Sequence, residues 1–188
     1  MMARATVTLA LVLSAWGSVS ARDAVSDDAI AALAMPEAQF RAILPAVLFR
    51  TQTLGMSVYS LGIPESCAVV RPAFDKAVAS HLPAWRANII KAYRDNVPAE
   101  MLAKATSEGS AGRAVLRPYL DRIGGQMQSA STPILNAAAA EVLMPVMEAA
   151  AKIDIKTVDG AKRQQEMAAA KADGSLFCGL QGTRREMK

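Results

Sequence analysis

The sequence contains few of the residues on which most enzyme chemistry depends. It has one histidine and two cysteines among 188 residues, and aromatic residues make up 5% of the chain. A zinc site needs several Cys, His or carboxylate ligands, and covalent haem attachment needs Cys-x-x-Cys-His. The Glu-x-x-His repeats of a di-iron bundle and the Gly-x-Ser-x-Gly and Ser-x-x-Lys motifs of serine hydrolases are also missing from the sequence. We therefore expect no metal, no cofactor and no recognisable catalytic residue.

The charge of the chain is too small and too evenly spread to indicate a nucleic-acid-binding protein. The formal net charge is +4, whereas nucleic-acid binding is typical of basic residues clustered on one face. Basic residues gather only at the carboxyl end, where Arg184, Arg185 and Lys188 occur. We interpret residues 181–188 as a disordered, solvated tail, and a contact with a membrane or a partner is the alternative.

The first 21 residues have the features of a cleavable signal peptide. Arg4 precedes an apolar run over residues 5–13, and the small residues Val19, Ser20 and Ala21 follow. A basic start, a short apolar stretch and a small-x-small end are typical of secretory leaders, and the run is too short to span a membrane. We predict cleavage after Ala21, a periplasmic or secreted protein, and no transmembrane segment in the mature chain.

The two cysteines of the mature chain, Cys67 and Cys178, are predicted to form a disulfide. An even number of cysteines in an exported protein favours pairing, because the compartment is oxidising. The alternative is two free thiols, one of them catalytic. A cysteine nucleophile needs a base, and His81 is the only histidine.

The composition of the mature chain predicts an all-α fold. It is rich in alanine, and no segment shows the alternation of a half-buried strand. We expect one domain, over residues 22–180, formed by a bundle of about five to six kinked helices. The first predicted helix begins near Ser26. The second begins at Pro36, is kinked at Pro45 and ends near residues 62–64. The next covers 66–82 with a continuation from Pro83, and the remaining helices cover 98–105, 112–130, 132–153 and 158–172.

A long apolar stripe supplies the candidate binding surface. Apolar residues recur at steps of three and four from Leu116 to Ile153, which is the period of one helix face. Methionine gives such a surface adaptability, although ordinary core filling is the alternative. The residues that we expect to line an apolar groove are Met127, Ile134, Leu135, Leu143 and Met147.

Each of three ionisable residues allows a structural or a catalytic interpretation. His81 lies near a predicted helix end, where the helix dipole favours an imidazolium, so we expect a structural role. Glu141 and Glu148 are seven residues apart and share a helix face, and we expect them to flank the apolar stripe on its solvent side. Carboxylates of a hydrolase pair in space and not in sequence, so this alternative stays open.

Residues 91–147 resemble a family of small exported proteobacterial helical proteins that is grouped as a domain of unknown function. In that family a helix start T-x-E-E-L leads to the turn F-Y-x-S-P-x-G and then to a long helix. Here residues 97–102 read Val-Pro-Ala-Glu-Met-Leu, and residues 106–112 read Thr-Ser-Glu-Gly-Ser-Ala-Gly. Gly112 and the layout match, whereas Thr106 and Ser107 replace the aromatic pair. The resemblance implies a helical fold and an envelope location, and it transfers no catalytic residues.

These observations together favour a binding or adaptor module in the bacterial envelope that holds a protein partner or an apolar ligand between helices. The alternatives are an envelope hydrolase with spatially clustered carboxylates and a structural or stress-protective protein. A polar cleft that gathers two or more carboxylates around His81 would favour the enzyme. A dry groove lined by Met and Leu would favour binding.

Overall fold

The computed structural model of the protein describes residues 25–108 and 112–180, and every secondary-structure element in these ranges is helical. The all-α prediction is therefore confirmed. The predicted signal peptide, residues 1–21, and the predicted tail, residues 181–188, lie outside the described residues. Within them the chain forms seven α-helices, slightly more than the five to six predicted. They are α1 (Asp27–Ala34), α2 (Pro36–Leu48), α3 (Gln52–Leu61), α4 (Ile63–Asn96), α5 (Ala99–Ser107), α6 (Leu120–Ala150) and α7 (Gly160–Asp173). Short 3-10 helices cover Arg113–Tyr119, Ile155–Thr157 and Ser175–Phe177.

The two longest helices, α4 and α6, pack against each other and organise the core. They have 34 and 31 residues, so each is about 50 Å long at 1.5 Å per residue. Helices α1, α2 and α3 pack on this pair. The centre contains Phe40 and Trp85, whose rings are 5.0 Å apart, together with other fully buried side chains. These are Phe74, Ile30, Leu44, Leu48, Leu54, Ile89, Val70, Val78, Val142 and Val146.

Prolines inside α4 and α6 do not end these helices, which corrects two predictions. Pro72 and Pro83 lie within one continuous α4, and Pro133 lies within α6, where we predicted separate helices 112–130 and 132–153. All three prolines are exposed, so water can reach the carbonyl groups that lose their N–H partners. A proline in a helix interior costs about 3 kcal/mol, and the buried residues on both sides of each proline offset that cost.

Side-chain caps set several helix boundaries. The predicted cap Ser26 accepts a hydrogen bond from the Ala29 amide at 3.1 Å and so begins α1. Thr51 accepts from the Leu54 amide at 3.3 Å and begins α3. The sequence predicted one kinked helix between residues 36 and 62, and the Thr51 cap divides it into α2 and α3. Short polar caps satisfy amides that have no partner within the helix.

Arginine–aspartate pairs hold α1 on α4. Arg94 donates to Asp27 and, at 2.8 Å, to the Val25 carbonyl, and Arg86 donates to Asp28. Both aspartates are in the first turn of α1, where negative charge is favoured by the helix dipole. The pairs lie at the surface, so their role is to orient α1 while Ile30 supplies the buried contact.

Gly112 is where two stretches of backbone approach closely. A Cβ atom at this position would lie 2.6 Å from the carbonyl oxygen of Ala105 at the end of α5. Only glycine avoids that clash. The rest of the predicted turn, residues 109–111, lies outside the described residues.

The predicted disulfide is present, and it fastens the carboxyl-terminal segment to the start of α4. Cys67 is bonded to Cys178, with a sequence separation of 111 residues. Arg71 adds a hydrogen bond from Nε to the Cys178 carbonyl at 2.8 Å. Helix α7 itself buries only Ala170. The covalent bond therefore secures a segment whose own packing is light.

Candidate functional site

A small apolar cavity lies between α3, α7 and the segment that the disulfide fastens. Its volume is about 220 Å³. Helix α3 contributes Leu54 and Val58, both buried, and α7 contributes the half-buried Met167. The complete lining is Phe49, Leu54, Gly55, Val58, Met167, Lys171 and Leu176. The chain thus places apolar residues from four separate stretches around one space.

Gly55 lies at the edge of this space. It is an exposed residue near the start of α3, and glycine within a helix costs about 1 kcal/mol relative to alanine. A Cβ atom added at Gly55 would have nothing within 4 Å, so no neighbouring atom requires a glycine there. A Cβ atom at this position therefore meets open space, and a larger side chain there would border the cavity.

Lys171 is the only ionisable residue among the seven that line the cavity. It is exposed and follows Met167 by one helical turn of α7. In the described part of the chain, no carboxylate lies within ion-pair distance of its ammonium group. The cavity therefore combines an apolar interior with one cation at its rim. Such a combination suits a ligand that is apolar over most of its length and negatively charged at one end.

The wall formed by Leu176 depends on the disulfide. Leu176 belongs to the 3-10 helix Ser175–Phe177, which begins after Gly174, at φ 82°, and ends at Cys178, at φ 53°. A positive φ at a residue other than glycine is uncommon, so the disulfide and the Arg71 hydrogen bond maintain an unfavourable backbone conformation at Cys178. The shape of the cavity on this side is consequently set by a covalent bond.

The histidine and the acidic residues of the sequence analysis do not gather into a catalytic cluster. His81 lies in the interior of α4 and not near a helix end, because Pro83 does not interrupt the helix. Its Nε2 atom is 3.2 Å from Glu141 Oε2, and Lys76 Nζ is 3.4 Å from Glu141 Oε1. Glu141 is the one carboxylate in this group, and it is half-buried. Glu148 is exposed, as predicted for the solvent side of the stripe.

A larger cleft of about 790 Å³ lies on the other side of α7, between this helix and the start of α4. Several of its charged residues pair with one another or cap backbone groups. Arg163 pairs with Glu166 at 3.2 Å, and Asp159 accepts from the Lys162 amide at 3.1 Å. Asp173 accepts from Ser175, and this hydrogen bond lowers the pKa of its carboxyl group. All three contacts are local to α7 and its two ends.

The five residues predicted to line an apolar groove all lie on α6. Met127, Ile134, Leu135 and Leu143 are half-buried and pack against the core, and Met147 is 49% exposed. Ile134 and Leu143 are nine residues apart, or about two and a half helical turns, so they point to different sides of the helix. The four clefts described for this chain are lined by other residues. A groove on α6 thus stays a prediction.

One helix of the described residues, spanning 113–150, is long and apolar enough to cross a membrane by length and composition alone. The core helix of a soluble protein passes the same test. The absence of a transmembrane segment in the mature chain therefore remains a prediction.

No group of three or more His, Cys, Asp or Glu side chains within the described ranges could hold a metal ion. Comparison of the whole chain with protein-family models, curated proteins and solved structures finds no match. The resemblance to an exported helical family thus stays a prediction, and functional inference depends on the geometry of the chain itself.

Proposed function

We propose that this protein is an exported, non-enzymatic binding module of the bacterial envelope that holds an apolar ligand between its helices. The single observation that carries the proposal is the cavity beside Gly55. The cavity is lined by apolar side chains from α3, α7 and the 3-10 helix Ser175–Phe177. Gly55 lies at its edge and contributes no side chain that would narrow it.

The size of the cavity supports binding of a small ligand. Its volume of about 220 Å³ exceeds that of an engineered apolar cavity of about 150 Å³ that binds benzene. It lies below the roughly 300–1,000 Å³ of pockets for drug-sized molecules. A ring or a short alkyl chain is the ligand class that fits.

The surroundings of His81 favour binding over catalysis. The hydrolase alternative requires two or more carboxylates near His81, and the described residues place only Glu141 within hydrogen-bond distance of its ring. Glu141 also pairs with Lys76. This group joins α4 to α6 across their packed faces, which is a structural role.

The proposed location in an oxidising compartment is supported by the Cys67–Cys178 bond, because disulfides persist mainly outside the cytoplasm. We expect the protein recovered from the envelope fraction to begin at Arg22. Recovery of the intact leader on cytosolic protein would contradict this part of the proposal.

The binding proposal is tested by filling the cavity. We expect the wild-type protein to bind octan-1-ol, with amide chemical-shift changes that concentrate at the cavity residues. Gly55→Leu adds a large side chain to a residue of the cavity lining and should abolish these changes. Ala46→Leu introduces the same residue type at an exposed position on α2 and serves as the control, which should bind normally.

Two results would overturn the binding proposal. The first is the absence of any saturable shift change at the cavity residues of the wild-type protein. The second is equal binding by wild type and a folded Gly55→Leu variant. If Gly55→Leu does not fold, the location of the wild-type shift changes decides the question by itself.

A further inference from the structure

We propose that the ligand of the cavity carries a carboxylate, which pairs with Lys171, on an apolar chain of about seven carbons. This inference rests on the proposed function, because it assigns a ligand class to the same cavity. It adds a charge requirement that an apolar cavity alone does not impose.

The charge requirement follows from the residues at the rim. Lys171 is the one ionisable group of the lining, and no described carboxylate lies within 4.0 Å of its ammonium group. A ligand carboxylate at the rim is attracted by the ammonium group of Lys171, whereas a neutral or cationic ligand is not. The interior made by Leu54, Val58 and Leu176 offers no polar side chain to a charged group. The carboxylate therefore lies at the mouth of the cavity and the chain points inward.

The length of the chain follows from the volume. A water molecule, with one heavy atom, has a share of liquid volume of about 30 Å³, so a cavity of about 220 Å³ holds about seven heavy atoms. Octanoate has seven carbons beyond its carboxylate group. It fills the interior while the carboxylate reaches Lys171.

The test compares three ligands of equal length, octanoate, octan-1-ol and octylamine, by NMR titration of the full mature protein. An exposed ion pair contributes at most about 1 kcal/mol, or roughly fivefold in affinity. We expect octanoate to bind up to about fivefold more tightly than octan-1-ol, and octylamine more weakly than both. Raising the salt concentration should reduce the octanoate preference, because salt screens exposed charges.

Two matched variants test whether Lys171 causes the preference for octanoate. Lys171→Gln should make octanoate and octan-1-ol bind equally while leaving the affinity for octan-1-ol unchanged. Lys162→Gln removes the same charge from α7 at the cleft on its other side, and it should keep the octanoate preference.

The outcomes separate this inference from the proposed function. If octan-1-ol binds the cavity and octanoate binds no better, the charge requirement is wrong and the apolar binding proposal stands. If Lys162→Gln and Lys171→Gln reduce the preference equally, general electrostatics and not Lys171 causes it, which also overturns the inference. If none of the three ligands binds, both proposals fail.

Discussion

Removal of the Cys67–Cys178 bond is the change whose effect on the free energy of unfolding follows most directly from the structure. The bond closes a loop with a sequence separation of 111 residues. In the chain-entropy model, a loop of this length raises the free energy of unfolding by about 4.8 kcal/mol, because it restricts the unfolded chain. At about 2–4 °C per kcal/mol for a domain of this size, we expect Cys67→Ala/Cys178→Ala to melt about 10–20 °C below wild type.

The measurement is thermal unfolding followed by the far-ultraviolet circular dichroism signal of the helices. Wild-type protein in a thiol reductant should show the same fall as the double alanine variant. The control is Arg71→Ala, which keeps the disulfide and removes the hydrogen bond to the Cys178 carbonyl. It should cost about 1 kcal/mol, the net contribution of one hydrogen bond, and so a few degrees.

A double alanine variant that melts within about 3 °C of wild type would refute this reasoning. That result would mean that the packing of the carboxyl-terminal segment, and not the covalent bond, holds α7 in place. It would also remove the argument that the disulfide shapes the Leu176 wall of the cavity.

Two further predictions concern pH. Burial raises the pKa of Tyr93, against a smaller lowering by Arg113, so its contribution to stability is present below about pH 10 and is lost as the pH rises through its folded-state pKa. In urea unfolding, Tyr93→Phe should therefore lose less stability than wild type between pH 8 and pH 11. Equal losses would contradict the assignment of this pH dependence to Tyr93. Hydrogen bonds from Lys91 and then Gln126 lower the pKa of Asp95, so its contribution is present above about pH 4 and is lost as the pH falls through its folded-state pKa. The melting temperature of Asp95→Asn should be below that of wild type at pH 7, and the two melting temperatures should converge near pH 2. A difference that persists at pH 2 would argue against the role of the Lys91 and Gln126 hydrogen bonds.

The helical class and several helix starts were predictable from the sequence because they depend on local chemistry. Alanine-rich amphipathic stretches favour helices wherever they occur in the chain. Ser26 caps α1 and Pro36 occupies the first turn of α2, as their residue types favour. The pairing of Cys67 with Cys178 needed no geometry, since the sequence contains no other cysteine.

The proline positions show where local reasoning fails. Pro83 and Pro133 each predict a helix boundary, and each lies inside a helix. Whether a proline ends a helix depends on which face carries it and on what the flanking residues bury. Both depend on the packing of α4 against α6. The same error placed His81 near a helix end and concealed its contact with Glu141.

The cavity had no sequence signal of its own. Its lining comes from residues 49–58, 167–171 and 176, and the first of these stretches lies more than 100 positions before the other two. A glycine such as Gly55 is typical of a fraying helix, and the sequence offers no means of telling a fraying glycine from one that borders a cavity. Lys171 lies on a polar helix with other lysines, and only its position beside Met167 and Leu176 distinguishes it.

The order of residues by itself determined that this protein is a helical domain with one cross-link, because helix propensity, capping and cysteine number are properties of neighbouring residues. The tertiary structure alone decided which prolines are tolerated, where His81 pairs, and where an unfilled apolar space lies next to a cation. These features arise from contacts between distant segments, and the free energy of such contacts depends on burial and distance in three dimensions.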